Sequence, residues 1–274
     1  MQQSLHRLVD NKIEARDGNL GKVSDFYFDD EFWIVRYMVI DTEELFKEKK
    51  VLVSPIVIGK PDLKSSILFV DLTIEQIQKG PDISTKRPLS REDEIRLFEH
   101  YSWPFYWKSG LFPGDTISAI IPPSGIPYPS APYSDLPSAS SEDLVKNGNY
   151  IENENNLEKH RTADPHLRSV EDVRSYGIHA IDGDIGHVED LIIDDEMWDI
   201  LYLVIDTRNW ILGKKIVISP RWIKQVNWVD KKVVVDLPRE AIKNSPEYHA
   251  STIIDQNYKN KLKDYYAQYL NKSN

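Results

Sequence analysis

The sequence predicts a mainly β protein built from two small β-barrels, each followed by short helices, joined by a Pro-rich linker. Three observations carry that expectation. The first is an internal duplication: 29 of the 89 positions from Ile13 to Tyr101 recur, without a gap, 165 residues later. A repeat of that length is a domain with its own core rather than a solenoid unit. The second is the crowding of five short strand signals, separated by turn residues, into each copy. So many strands in so short a span leave exposed edges unless the sheet closes on itself. The third is the segment between the copies, where eight of the sixteen prolines fall between Ser102 and Pro137.

Taken in order, Asn11 to Arg16 alternates polar and apolar residues and stops at the Asp17-Gly18 turn signal. Leu20 to Phe28 continues as a strand, and Asp29-Asp30-Glu31 turns the chain. Trp33 to Thr42 is the strongest strand, rich in β-branched and aromatic residues. Lys50 to Val53 is stopped by Ser54-Pro55, since proline cannot donate within a central ladder. Ser66 to Leu72 is the fifth strand, and Thr73 to Lys79 reads as a short helix. The second copy repeats this order near Gly177–Ile181, Ile185–Ile193, Trp198–Thr207, Lys215–Ile218 and Lys232–Leu237. Ser90 with Asp93 forms a helix start, followed by the stripe Ile95, Leu97, Phe98 and Tyr101. Its copy begins at Asp255 and carries Tyr258, Leu262, Tyr265, Tyr266 and Tyr269. The expected organisation is a barrel over 1–86, a helix over 87–101, a linker over 102–165, a barrel over 166–246 and a helix over 247–274. Within the linker, Ser138 to Asp164 is polar and lacks periodicity, so it reads as disordered.

Composition narrows the function classes. The formal charge is −10, from 34 basic and 44 acidic residues, which argues against direct nucleic-acid binding over the whole surface. There is no cysteine, so disulfides, thiolate catalysis and Cys-ligated metals are excluded. No apolar run reaches the roughly 18 residues of a membrane span, and the polar N-terminus lacks a signal-peptide core. The expected location is the cytoplasm.

Candidate chemistry is thin. Asp29-Asp30-Glu31 and Asp194-Asp195-Glu196 offer oxygen donors for a hard cation, but Asp and Gly are also what tight turns require. Turn chemistry is the preferred reading. Ser54-Pro55 and Ser219-Pro220 lack the strained elbow of a nucleophilic serine, and no histidine has a helical i, i+4 partner. No catalytic residue, cofactor or metal is assigned. Interaction is better represented. Trp103, Phe105, Tyr106 and Trp107 form an aromatic, Pro-interleaved tract that suits either docking or packing back on the chain. Along the central strands, Trp33, Val35, Tyr37 and Val39 share one side, leaving Ile34, Arg36, Met38 and Ile40 on the other. Met38, Ile40, Leu201 and Leu203 therefore make an outer face too apolar for water. Its cover is either the trailing helix or the other copy, packed around a pseudo-two-fold axis.

The pattern Gly-x-x-Gly-x-Val-x-Asp, Asp-Asp-Glu-x-Trp, Tyr-x-Val-Ile-Asp-Thr and Lys-Lys-Val-Leu-Val-Ser-Pro resembles the PRC-barrel domain. That family includes the cytoplasmic domain of the photosynthetic reaction-centre H subunit and the C-terminal half of a ribosome-maturation factor. The resemblance covers roughly residues 10–80 and 175–246. It implies small barrels that bind other proteins and have no catalytic centre. The resulting expectation is a non-catalytic tandem-barrel adaptor or structural protein in a photosynthetic, envelope or stress-related assembly. Its partners are proteins, or a second barrel or copy, with no nucleic acid and no membrane span. The alternative is a ribosome-assembly or RNA-processing accessory factor.

Overall fold

A computed structural model describes residues 2–42, 50–59, 65–83, 89–103, 166–207, 213–249 and 254–270. The chain divides into two compact units, one of residues 1–74 with 166–274 and one of residues 75–165. Both repeats thus contribute their sheets to the first unit. Beyond Ser102 and Trp103, the expected linker, with Phe105, Tyr106 and Trp107, lies outside the described residues.

The larger unit contains two sheets. In the first copy β1 (Gln2–Ser4) and the one-turn α1 (Leu5–Leu8) precede β2 (Lys12–Ala15), β3 (Gly18–Asp29), β4 (Ile34–Asp41), β5 (Lys50–Val53) and β6 (Ile67–Phe69). The second copy runs β7 (Leu167–Ser169), α4 (Val170–Val173), β8 (Gly177–Ala180), β9 (Gly183–Asp194), β10 (Ile200–Asp206), β11 (Lys215–Ile218), β12 (Ile223–Asn227) and β13 (Lys232–Val235). Between them come α2 (Ile74–Gln78) and α3 (Arg91–Tyr101), and α5 (Arg239–Asn244) and α6 (Gln256–Leu270) end the chain. The strand orders match: β5-β4-β3-β2-β6 in one sheet, β11-β10-β9-β8-β13-β12 in the other. Each contains one parallel pair, β2 with β6 and β8 with β13.

Among the described residues neither hydrogen-bonded path closes into a ring, whereas a closed barrel was expected. Each path instead ends on a short strand. The outer edge of β11 is partly satisfied, because the Tyr248 amide donates to the Lys215 carbonyl at 2.8 Å. No helix among the described residues is long and apolar enough to cross a membrane.

The duplicated motifs have local reasons. Gly21 and Gly186 stand where β3 and β9 pass under the ends of β4 and β10. A Cβ there would lie 2.0 Å from the Asp41 carbonyl oxygen and 2.3 Å from that of Asp206. Asp17 and Asp182 each accept a backbone amide of the following helix region, from Ile74 at 2.8 Å and Arg239 at 2.7 Å. Ser54 and Ser219 cap the 3₁₀ turns Pro55–Val57 and Pro220–Trp222, which explains both Ser-Pro pairs. Thr207 closes the β10–β11 loop by donating to the Lys214 carbonyl at 2.7 Å and accepting its amide at 3.0 Å.

α6 is anchored from Asp255, whose carboxylate accepts the Tyr258 amide at 2.8 Å. Its buried Tyr266 packs with its ring centroid 4.1 Å from that of Trp222, tilted by 43°, and donates to Ser245 at 2.8 Å. In the smaller unit, α3 starts at the capping box of Ser90 and Asp93, and Ser102 ends it in the left-handed conformation.

Candidate functional site

A cluster of buried and half-buried polar groups lies where the two repeats meet, and it is built by strand exchange. β1 of the first copy pairs antiparallel with β9 of the second, Gln2 opposite Asp194 and Ser4 opposite Ile192. β7 of the second copy pairs with β3 of the first, Leu167 opposite Asp29 and Ser169 opposite Tyr27. These are the same pairings shifted by 165 residues, with the copies interchanged. Each repeat thus lends its first strand to the other about a local two-fold axis, so residues 2–4 complete the sheet of the second repeat.

A three-residue strand has little stability of its own, so the arms need anchors. Ser4 and Ser169 cap the one-turn helices, accepting the amides of Arg7 at 3.1 Å and Asp172 at 3.2 Å. The Ser4 hydroxyl donates to Asp190 in β9, and the Ser169 hydroxyl donates to Asp25 in β3 at 2.6 Å. Asp190 also accepts the His6 amide at 3.1 Å, and Asp25 accepts that of Glu171 at 3.2 Å. Burial pushes both carboxyls above the usual carboxylate range, against the opposing effect of the serine hydroxyl and the amides. Apolar anchors complete each arm: Leu5 and Leu8 in one, Val170 and Val173 in the other, all at most 2% exposed.

The repeated Asp-Asp-Glu-x-Trp turn forms the centre of the seam. Asp29 accepts the amides of Glu31 and Phe32 at 2.9 and 3.0 Å, and Asp194 those of Glu196 and Met197 at the same distances. The turn delivers Trp33 and Trp198 in the left-handed region, at φ 56° and 61°, a conformation that costs a bulky residue roughly 1–3 kcal/mol. Each carbonyl then crosses to the other copy. Trp198 accepts the Val35 amide at 2.9 Å, and Trp33 accepts that of Ile200 at 2.7 Å. Ile34 and Asp199, themselves equivalent positions, bridge on the axis. The Trp198 ring reaches Phe26 of the first sheet at 6.0 Å.

The second acidic residue of each turn holds the exchanged strand, by different means in the two copies. Asp30 meets His166 at 2.9 Å and Arg168 at 3.0 Å, and Asp195 accepts the side-chain amide of Gln3 at 3.2 Å. The Arg168 guanidinium also lies 4.1 Å over the Trp228 ring of the second copy. Desolvation lowers the pKa of His166, but the hydrogen bond and charge of Asp30, with Glu31 and Asp29, outweigh it and raise the pKa.

The residues picked out from sequence fall elsewhere. Met38, Ile40 and Leu203 are core, 0%, 0% and 1% exposed, and Leu201 is half-buried. The first three therefore offer no outer docking face, because the chain covers both sides of its central strands. Trp103 is buried too, stacked on Tyr101 at 4.5 Å and edge-on to Phe98 at 5.6 Å. Sequence reading missed the arms. Their signal was faint: Ser4 and Ser169 at the same offset of 165, each followed by apolar residues at the first and fourth helical positions.

No curated protein matches the chain in a sequence comparison. Residues 171–242, which run from α4 into α5, match the model of the PRC-barrel domain, and this segment is a PRC-barrel domain.

Proposed function

We propose that the chain is a tandem of two PRC-type modules acting as a non-catalytic adaptor or structural protein through protein–protein contacts. The observation that carries this reading is the PRC-barrel match over residues 171–242, since such a domain suggests a protein-interaction module. The first copy supports extending it, because its sequence repeats that segment in register and its strands follow the same order. The likeness to the reaction-centre H subunit, a cytoplasmic location and a role in a photosynthetic, envelope or stress-related assembly belong to the same proposal. Affinity purification of the tagged chain from its native host tests it. Defined protein partners, recovered near stoichiometry and resistant to nuclease, are expected. Substrate turnover by the purified chain across hydrolase and oxidoreductase panels would contradict the non-catalytic reading.

A further inference from the structure

β12 ends the sheet of the second repeat, and no strand pairs with its outer side among the described residues. Backbone alternation decides which groups it leaves open. Gly177 donates to the Lys231 carbonyl at 3.0 Å and β13 pairs in parallel with β8, so Val233 turns its amide and carbonyl toward β8. Lys232 and Val234 turn theirs toward β12, as does Asp236, whose amide donates to the Trp222 carbonyl at 3.1 Å. Asn227 and Gln225 stand opposite Lys232 and Val234, whereas Val226 stands opposite Val233. The Val226 amide and carbonyl therefore point away from β13, and no hydrogen bond reaches them among the described residues. Other edges are occupied: β11 accepts the Tyr248 amide, and β6 accepts the Gly59 amide at 2.8 Å. In the first copy the position equivalent to Val226 is Pro61, which has no amide to give.

The surroundings of this edge are fixed and basic. Asn227 accepts the amides of Val229 and Asp230 at 3.1 and 3.0 Å, which sets the turn into β13. Trp228 packs against Tyr176 and the Arg168 guanidinium, and Val229 at the tip of the turn is 92% exposed. Although the chain carries a net charge of −10, Arg221, Lys224 and Lys231 are exposed here without an ion-pair partner among the described residues. Lys232 is held by Asp184 at 3.0 Å. The acidic neighbours are Asp230, which accepts from the Asn227 side chain at 2.7 Å, and exposed Asp236 after the end of β13.

We propose that β12 is a docking edge for an extended, acidic peptide segment of a partner protein, which adds to the sheet as a strand alongside Val226. This rests on the reading of the chain as a protein-interaction module and names the chemistry of its partner. Main-chain hydrogen bonds to the Val226 amide and carbonyl supply the attachment. A β-branched residue opposite Val226 supplies the cross-strand contact. Arg221, Lys224 and Lys231 select the sign of charge, acting within a screening length of about 8–10 Å that weakens the field of the acidic remainder. A basic segment meets like charge and is refused.

Two capped probe peptides, one alternating glutamate with valine and one alternating lysine with valine, test this on the full chain. The glutamate peptide is expected to shift the Val226 amide resonance and slow its hydrogen exchange. At low salt it should bind about tenfold more tightly than the lysine peptide, a margin that shrinks as salt is raised. Val226→Pro removes the outward amide and keeps the β12–β13 bonds, so it should abolish this binding with little change in thermal midpoint. Lys224→Glu, at an exposed side chain, serves where proline disrupts the strand, and should lower the preference for the glutamate peptide severalfold. An unshifted Val226 amide, equal binding of the two peptides, or a folded Val226→Pro chain that binds as wild type overturns the docking edge. So does Val226 protection that rises with protein concentration alone, which gives the edge to a second copy. In purifications from the native host, partners that survive Val226→Pro contradict the docking edge alone, whereas the absence of any protein partner contradicts the interaction reading itself.

Discussion

Gly21 and Gly186 are fixed by proximity as much as by backbone conformation. A methyl group at either position meets a carbonyl oxygen at 2.0 or 2.3 Å, and that oxygen belongs to backbone rather than to a movable side chain. Gly21→Ala and Gly186→Ala should each destabilise the larger unit by on the order of 2–3 kcal/mol, measured as a lowered midpoint in chaotrope with unchanged slope. Ser169 acts twice, as a helix cap and as the only side-chain donor to half-buried Asp25 among the described residues. Its replacement by Ala should cost about 1–3 kcal/mol. The same change at the half-buried cap Ser219, which holds a single turn amide at 3.4 Å, should cost less. Leu203 is 1% exposed in the middle of β10, so Leu203→Asp should destabilise by several kcal/mol through an unpaired buried charge. A wild-type thermal midpoint in that variant would show the site to be open to water.

At the scale of elements, the contributions of the two arms are transferable in an unusual sense: each stabilises the sheet of the repeat it does not belong to. Leu8→Ala, in α1, should cost about 2–5 kcal/mol. Its local signature should be faster amide exchange in β9, more than 170 residues away in sequence, rather than in the adjacent β2. Exchange that quickens in β2 alone would place the arm on its own sheet. The elements legible in the sequence were those with strong local signals. β-Branched runs marked β4 and β10, Asp-Gly turns marked the β2–β3 and β8–β9 hairpins, and Ser90 with Asp93 marked the start of α3. The arms were not legible, because a three-residue strand has no periodicity to detect and its partner lies in the other repeat. The seam was half legible. The sequence showed Asp-Asp-Glu-x-Trp twice, but that its tryptophans adopt positive φ and hand their carbonyls across the axis depends on the partner copy. The apolar second face of the central strands was visible in sequence as a surface in need of cover. That Met38, Ile40 and Leu203 end as core rather than as a docking face follows from packing on both sides of the strand.

At the scale of the whole molecule, the two repeats are joined at three backbone pairings: two exchanged strands and the Ile34–Asp199 bridge on the axis, which the two tryptophan carbonyl bonds form. The in-register sequence repeat makes this arrangement self-consistent, since the strand pairing made by one copy is made by the other with the roles reversed. The unlike residues placed on that frame, Ile34 against Asp199 and Arg168 against Gln3, give the pseudo-dimer its asymmetry. The chain between the repeats then joins two halves that also hold each other. Cutting it is the most direct test. A protease site placed within residues 138–164 of the full chain, cleaved under native conditions, should leave two fragments that co-elute on size exclusion at the mass of the intact chain. They should also unfold in a single transition. Fragments that elute separately as two folded species, each with its own transition, would contradict the exchanged seam and return the repeats to independent domains.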